Sequence, residues 1–163
     1  MFLFRSKPAF TDGVIDLIQI RDWLADEEMR FGEEYTWRIT LHNRRGEIGR
    51  INLRLGESPC IYCFGHIGYH VDPPYRGHHY AQRACRLIAP VIARHGKETV
   101  VITCDPDNAP SRRTCEALGC ELERIITVPD WIRRRWSISK VKCRYIWRPA
   151  QGSPASEQEH SSP

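Results

Sequence analysis

The sequence predicts a mixed α/β domain of the α+β type, and three observations carry that expectation. Alternating or β-branched strand runs lie on both sides of the chain's middle, one long helical periodicity runs from Tyr80 to Ile92, and a shorter helix lies between Asn108 and Gly119. The predicted order is strands, helix, strand, helix, strands, with no internal repeat. At 163 residues the chain fits one domain that can bury a core without staples.

Val14 to Ile20 (VIDLIQI) alternates at its centre after the turn pair Asp12 and Gly13, which makes it a first strand with Ile15 and Leu17 on one side. Arg21 to Glu34 is charged and mixed, with room for one short helix around Leu24 to Met29. Tyr35 to Leu41 and Ile48 to Leu55 form a hairpin about the turn HNRRGE. Cys60 to Val71 (CIYCFGHIGYHV) reads as a fourth strand, made irregular by Gly65 and Gly68. After Pro73 and Pro74, apolar residues at 80, 81, 84, 85, 87, 88, 91 and 92 recur at helical spacing, with Pro90 kinking the last turns and Gly96 as the stop. Thr99 to Cys104 (TVVITC) is a continuous apolar run, expected of a strand covered on both faces. Asn108 caps the second helix, which turns Thr114, Cys115 and Leu118 inward and ends at Gly119. Glu121 to Val128 and Val141 to Arg148 are the last strands, joined by the basic loop PDWIRRRWSISK.

A hydrophobic share of 41% with five Trp, six Tyr and five Phe describes a globular chain. Residues 1–13 read as an N-terminal extension that is not a signal peptide, 14–148 as the domain, and 149–163 as a disordered tail without a large apolar residue. No apolar run approaches the roughly 18 residues of a transmembrane helix, so a cytoplasmic protein without a membrane partner is expected. The seven cysteines, an odd number, read as reduced small hydrophobes. A net charge of +4 suits a phosphorylated ligand as well as nucleic acid.

Chemistry concentrates in HVDPPYRGHHYA, a strand end followed by a turn and a helix start. Backbone N–H groups at a helix start lack intrahelical partners, and the helix dipole adds partial positive charge there, so the place suits phosphate. Arg76 brings a forked cation, Gly77 lets the backbone approach closely, and His78 and His79 add donors. Without further signals the same residues read as an ordinary connection with an Arg on its surface.

The segment resembles the pyrophosphate-binding motif of GNAT acetyltransferases: Arg or Gln, two residues, Gly, one residue, then Gly or Ala. Arg76 and Ala81 match, and His79 stands where the pattern has Gly. DPDNAPSRRTCEALGC is similar to the fifth-strand-to-fourth-helix motif of that superfamily, with Asn108, Ser111, Glu116 and Gly119 in register. The combination is most similar to the branch that acetylates ribosomal-protein N-termini and related amines; it covers Ile48 to Gly119. The resemblance implies a three-layer fold: a mixed, mostly antiparallel sheet of six to seven strands, splayed between the fourth and fifth strands, with helices on both faces. It implies acetyl-CoA as co-substrate, with the pantetheine arm in the gap, and transfer of the acetyl group to a primary amine by direct attack in a ternary complex. By the same resemblance Tyr69, His70 and Val71 supply backbone donors, Asn108 contacts the pantetheine, and Arg76, Gly77, His78, His79, Tyr80 and Ala81 hold the pyrophosphate.

Amide transfer needs a neutral amine and a proton for the departing thiolate. His66 takes the place where that branch often has Glu; it, or a water chain, is the candidate base, while a histidine satisfied by its neighbours is the structural alternative. The mid-helix position where many members have Tyr is here Cys115, with Ser111 one turn earlier as the other proton donor. Cys60, Cys63, His66 and His70 have zinc-ligand residue types, but side chains three apart on a strand face opposite ways, so no metal is expected. The cluster Arg133, Arg134, Arg135 and Lys140 between Trp131 and Trp136 suggests an acidic or phosphorylated acceptor. Contact with the 3′-phosphate of CoA, a solvated loop, or contact with nucleic acid are the other readings. A non-catalytic acyl-CoA-binding or nucleic-acid-binding module is the rival from another class. Either a monomer or a homodimer is compatible with the sequence.

Overall fold

The computed structural model describes residues 7–20 and 32–151. Its sheet has eight strands in the order β1-β2-β3-β4-β5-β6-β8-β7. They are β1 (Phe10–Thr11), β2 (Ile15–Ile20), β3 (Glu34–Leu41), β4 (Glu47–Arg54), β5 (Ile67–Val71), β6 (Val100–Cys104), β7 (Glu121–Thr127) and β8 (Val141–Trp147). Every neighbouring pair is antiparallel except β5 and β6. The helices are α1 (Pro59–Phe64), α2 (Tyr80–Arg94), α3 (Ala109–Ala117) and α4 (Asp130–Trp136).

The mixed α/β class and the mostly antiparallel sheet are as expected. The strand count is one higher, because Phe10 pairs with Leu17 and Thr11 with Asp16, so the sheet begins inside the segment assigned to an extension. The turn that starts β2 is held by Asp12, whose Oδ1 accepts the N–H groups of Val14 and Ile15, both at 2.9 Å. The helix expected around Leu24 to Met29 and all but the start of the C-terminal tail lie outside the described residues.

Two expectations are corrected. The run from Cys60 to Val71 is not one strand: Ser58 caps α1 by accepting the Ile61 N–H at 3.1 Å, Pro59 starts the helix, and Gly65 ends it at φ 78°. The basic loop after β7 contains α4, with Asp130 in its first turn and three Arg in its last, a distribution that complements the helix dipole.

The core lies in two layers. On one face, Ala84, Cys85, Ile88, Val91 and Ile92 of α2, with Cys115 and Leu118 of the α3 region, pack on Trp37, Ile39, Ile51, Leu53, Ile67, Ile102 and Tyr145. This is the apolar stripe read from the sequence, and α2 runs through Pro90, which is exposed. On the opposite face, Cys60, Ile61 and Cys63 of α1 meet Ile126, Val128 and Ile132. Helices therefore cover both faces, and the cysteines form no disulfide among the described residues.

Candidate active site

The site is organised by the one parallel pair. β5 and β6 share a single register pair, Ile67 with Ile102, and from there toward Val71 and Cys104 no further pair forms. A wedge opens between them, and both its edges belong to the sheet's centre. On its other side β5 is fully paired with β4 from Gly49 to Leu53. The Arg54 N–H bonds to His66 O at 2.7 Å and the Asp72 N–H to Ile48 O at 2.8 Å, so antiparallel alternation turns the backbone of residues 66, 68, 70 and 72 toward β4. Tyr69 and Val71 consequently turn their backbone groups toward the wedge. His70 does not, and it drops out of the expected set of backbone donors; its ring is exposed and lies 3.1 Å from Asp72.

The wide end of the wedge leads to the N-terminus of α2. Gly77 (φ 86°) and His79 (φ 62°) both adopt the left-handed conformation, and a Cβ on Gly77 would meet nothing within 4 Å. The backbone bend that the missing glycine put in question is therefore made by a histidine, one of the side chains that enters this region more readily than most. α1 and α3 carry side-chain caps from Ser58 and Asn108, whereas the N-cap of α2, His79, makes no side-chain cap bond. The N–H groups of Tyr80, Ala81 and Gln82 have no intrahelical acceptors by construction. Arg76 donates from Nε to Val71 O at 2.8 Å, which fixes its guanidinium between the end of β5 and this turn, and His78 stacks on Tyr80 with ring centres 5.4 Å apart. An open turn, an uncapped helix start and a tethered cation are what a diphosphate requires.

Ser111 and Asn108 stand across the wedge on α3. Asn108 accepts the Ser111 N–H at 3.2 Å, which leaves its own amide N–H groups for another partner. Ser111 is 8% exposed, and its Oγ lies 2.8 Å from the Tyr69 hydroxyl. Cys115 is fully buried. Its contact with Cys120, and then burial, push its thiol pKa far up. The structure thus places Cys115 in the core, where burial argues against the proton-donor role expected of it.

His66 sits at the closed end of the wedge, 6% exposed. Its backbone N–H bonds to Val101 O at 2.8 Å and its Nδ1 accepts the Val101 N–H at 3.0 Å. A backbone amide can only donate, so the proton of the neutral ring is on Nε2, which donates to Glu57 Oε1 at 2.8 Å; Lys97 shares that carboxylate oxygen at 2.9 Å. Both ring nitrogens are engaged in this structure, and through them His66 pins β5 to β6 where they begin to diverge. Burial lowers its pKa, with Glu57 opposing the shift and Lys97 and Arg144 adding to it. Because the folded state resists the proton that the unfolded chain accepts near the ordinary value of about 6.5, His66 contributes stability above that pH and loses it as pH falls below. Urea unfolding of the wild type and His66→Asn at pH 7.5 and 5.5 should show a wild-type advantage that shrinks at the lower pH. An advantage equal at both pH values would exclude the pin.

The zinc-type residues do not converge. Cys60 and Cys63 are packed in the second core layer, while His66 and His70 are bound to Glu57 and Asp72. Among the described residues no group of three or more His, Cys, Asp or Glu is placed to hold a metal ion.

The family model of the acetyltransferase (GNAT) domain matches residues 2–121. The chain belongs to the GNAT acetyltransferase family. Its wedge and its uncapped α2 lie inside the matched span. Solved GNAT structures share the fold at low identity. The ribosomal-protein-S5-alanine acetyltransferase of Vibrio fischeri is 18% identical with a TM-score of 0.56, over 74% of this chain and 64% of that one. RimJ of Mycobacterium smegmatis, in complex with CoA-disulfide, is 17% identical with a TM-score of 0.54, over 77% and 57%. The microcin C7 self-immunity acetyltransferase MccE, in complex with acetyl-CoA and AMP, is 16% identical with a TM-score of 0.55, over 76% and 63%. This chain thus spans less than two thirds of the length of each of these three. Comparison with curated proteins returned no match. No helix among the described residues is long and apolar enough to cross a membrane.

Proposed function

We propose that this GNAT domain transfers the acetyl group of acetyl-CoA to a primary amine by direct attack in a ternary complex. The observation that carries the reading is the wedge between β5 and β6 opening onto the uncapped N-terminus of α2. The residues fit the co-substrate: the N–H groups at 80–82 with Arg76 and Gly77 would hold the diphosphate, and Tyr69 and Val71 offer strand backbone to the amides of the pantetheine. Asn108 offers a side-chain amide from the opposite wall. Donors fixed beside the thioester carbonyl stabilise the oxyanion that develops on it. With His66 committed to the pin, a water chain is the remaining route for the amine proton.

We infer that the acceptor enters beside α4, which carries Arg133, paired with Asp130 at 3.0 Å, the exposed Arg134, and Arg135 over the Trp136 ring. That surplus of cations favours an acceptor with negative charge near its amine, such as an acidic peptide N-terminus or a phosphorylated amine. Solved neighbours named for ribosomal-protein N-termini, and one with AMP bound, are compatible with either. Cysteines without disulfides suit a reducing compartment such as the cytoplasm.

Thiol release from acetyl-CoA against a panel of neutral and acidic peptide N-termini and phosphorylated amines tests the reading. Turnover is expected, with acidic acceptors preferred at low salt and the preference falling as salt rises. Silence across the panel removes the activity. In parallel, Arg76→Ala should weaken acetyl-CoA binding by about tenfold or more in calorimetry, the effect of losing a charge-assisted hydrogen bond. An unchanged Kd in the folded variant removes the diphosphate assignment.

A further inference from the structure

β7 ends the strand order of the sheet, and among the described residues no strand pairs with its outer side. Six of its seven residues are exposed, including Leu122 at 43% and Ile125 at 58%. An exposed edge of this kind is a template for another strand. Its register against β8 shifts between Leu122 and Arg124, which makes Glu123 the extra residue of a bulge. Leu122 pairs with Tyr145 and Ile125 with Cys143, both in the core layer under α2, so the two apolar side chains stand on that face. Arg124 pairs with Arg144, whose guanidinium lies over the Tyr62 ring of α1, and Glu123 accepts from the same Arg144 Nε at 2.8 Å. Those two charges stand on the opposite face. The bulge thus gives Leu122-Glu123-Arg124-Ile125 a symmetry that a regular strand lacks: apolar, charged, charged, apolar reads the same from either end, faces included.

We propose that a second copy of this chain pairs antiparallel with β7 about a two-fold axis between Glu123 and Arg124. Leu122 then meets the partner's Ile125 on one face and Glu123 meets the partner's Arg124 on the other, each contact made twice. Within one chain, Glu123 Oε2 is held by Arg144, while Oε1 lies 4.0 Å from Arg124, at the limit of an ion pair, and remains open to the partner. A slip of one residue either way sets Glu123 against the partner's Glu123 or Arg124 against the partner's Arg124, and opposes side chains from different faces. Charge and face therefore select the same register. Bulges and charges also blunt the edges of monomers, but blunting requires no mirrored charges of opposite sign and leaves no apolar pair bare. The chain's own segments fit the edge poorly. Residues 152–163 contain no large apolar residue to cover Leu122 and Ile125. The chain between Ile20 and Glu34 starts six and ends five strand positions from β7. At about 4.8 Å per position and about 3.5 Å per residue, it has no length left to cover that edge. The wedge between β5 and β6 lies away from the joint, so this association stands independently of acetyl transfer.

Analytical ultracentrifugation of the full chain over a wide concentration range tests the pairing, and the wild type is expected to sediment as a dimer. Arg124→Glu and Ile125→Lys, at exposed positions, should keep the wild-type urea unfolding curve and weaken the dimer by about a hundredfold, about tenfold for each of the two symmetric contacts. The register is read by combining Leu122→Cys with Ile125→Cys. Mild oxidation should cross-link the doubly substituted chain and neither single variant, because each single thiol lies three positions from its own copy, beyond the reach of a disulfide. A monomeric wild type overturns the proposal; if a chain ending at Gln151 then dimerises, the tail is the occupant instead. A dimer left intact by both Arg124→Glu and Ile125→Lys uses another surface and overturns it as well. A dimer that these variants weaken but that the paired thiols do not cross-link overturns the register.

Discussion

Replacing Gly65 by alanine is expected to cost about 3 kcal/mol or more of stability, well beyond the median point mutation. Gly65 adopts φ 78° and ψ 167°, a region that is close to glycine-only and costs other residues about 1–3 kcal/mol. A Cβ there would also stand 2.8 Å from Val101 O and 3.1 Å from Thr103 N. Both are backbone atoms of β6, so neither can swing aside; the strand itself has to move. This is the closed end of the wedge, where His66 holds β5 to Val101, and loosening it should weaken acetyl-CoA binding as well as the fold. Gly13→Ala is the control, because Gly13 has a similar φ of 82° with nothing within 4 Å of the added carbon. Equal losses in urea unfolding for the two variants would mean that close approach to β6 contributes nothing.

Trp37→Ala is expected to cost about 3–5 kcal/mol, the range for deleting a buried Trp or Phe side chain. Trp37 is 1% exposed on β3, stacked on Tyr35 at 5.8 Å and met edge-on by Phe10 at 6.2 Å. Its removal takes a large side chain out of the core layer that also holds the buried face of α2. The ring N–H has no hydrogen-bond partner among the described residues, so Trp37→Phe should cost much less, since it removes an unsatisfied donor along with the extra volume. Because β3 is two strands away from the wedge, the folded fraction of Trp37→Ala should keep a wild-type KM for acetyl-CoA. A loss below about 1 kcal/mol would show that the core collapses around the site rather than leaving a cavity.

Local signals carried much of this architecture. Asn108 and Gly119 bracket α3, and the stripe from Ala84 to Ile92 is the buried face of α2. The left-handed turn ahead of α2 was legible because glycine, a cation and a helix start coincide within a few residues. Two short helices were missed although their start signals were present. Ser58 with Pro59 is a cap followed by a helix-initiating proline, and Asp130 ahead of three Arg is a dipole-matched charge order. In both cases the aromatic and β-branched content, or the charge, suggested another state, and packing in the second core layer decided the outcome. Pairing of Phe10 and Thr11 with β2 was equally invisible, since two residues carry no periodicity.

The sequence by itself determined the fold class, the helix that buries its apolar stripe, and the position of the glycine-containing turn before it, because each depends on periodicity or on groups within one turn of chain. Only the tertiary structure decided what the site's side chains do. His66 looked like a free base until Val101, 35 residues on, and Glu57 took both its nitrogens. Cys115 looked like a proton donor until the core closed over it, and Tyr69, read only for its backbone, met Ser111 from 42 residues away. Proton-transfer roles depend on which lone pairs and protons remain unused after folding. That remainder is set by contacts between segments distant along the chain, and no local pattern encodes it.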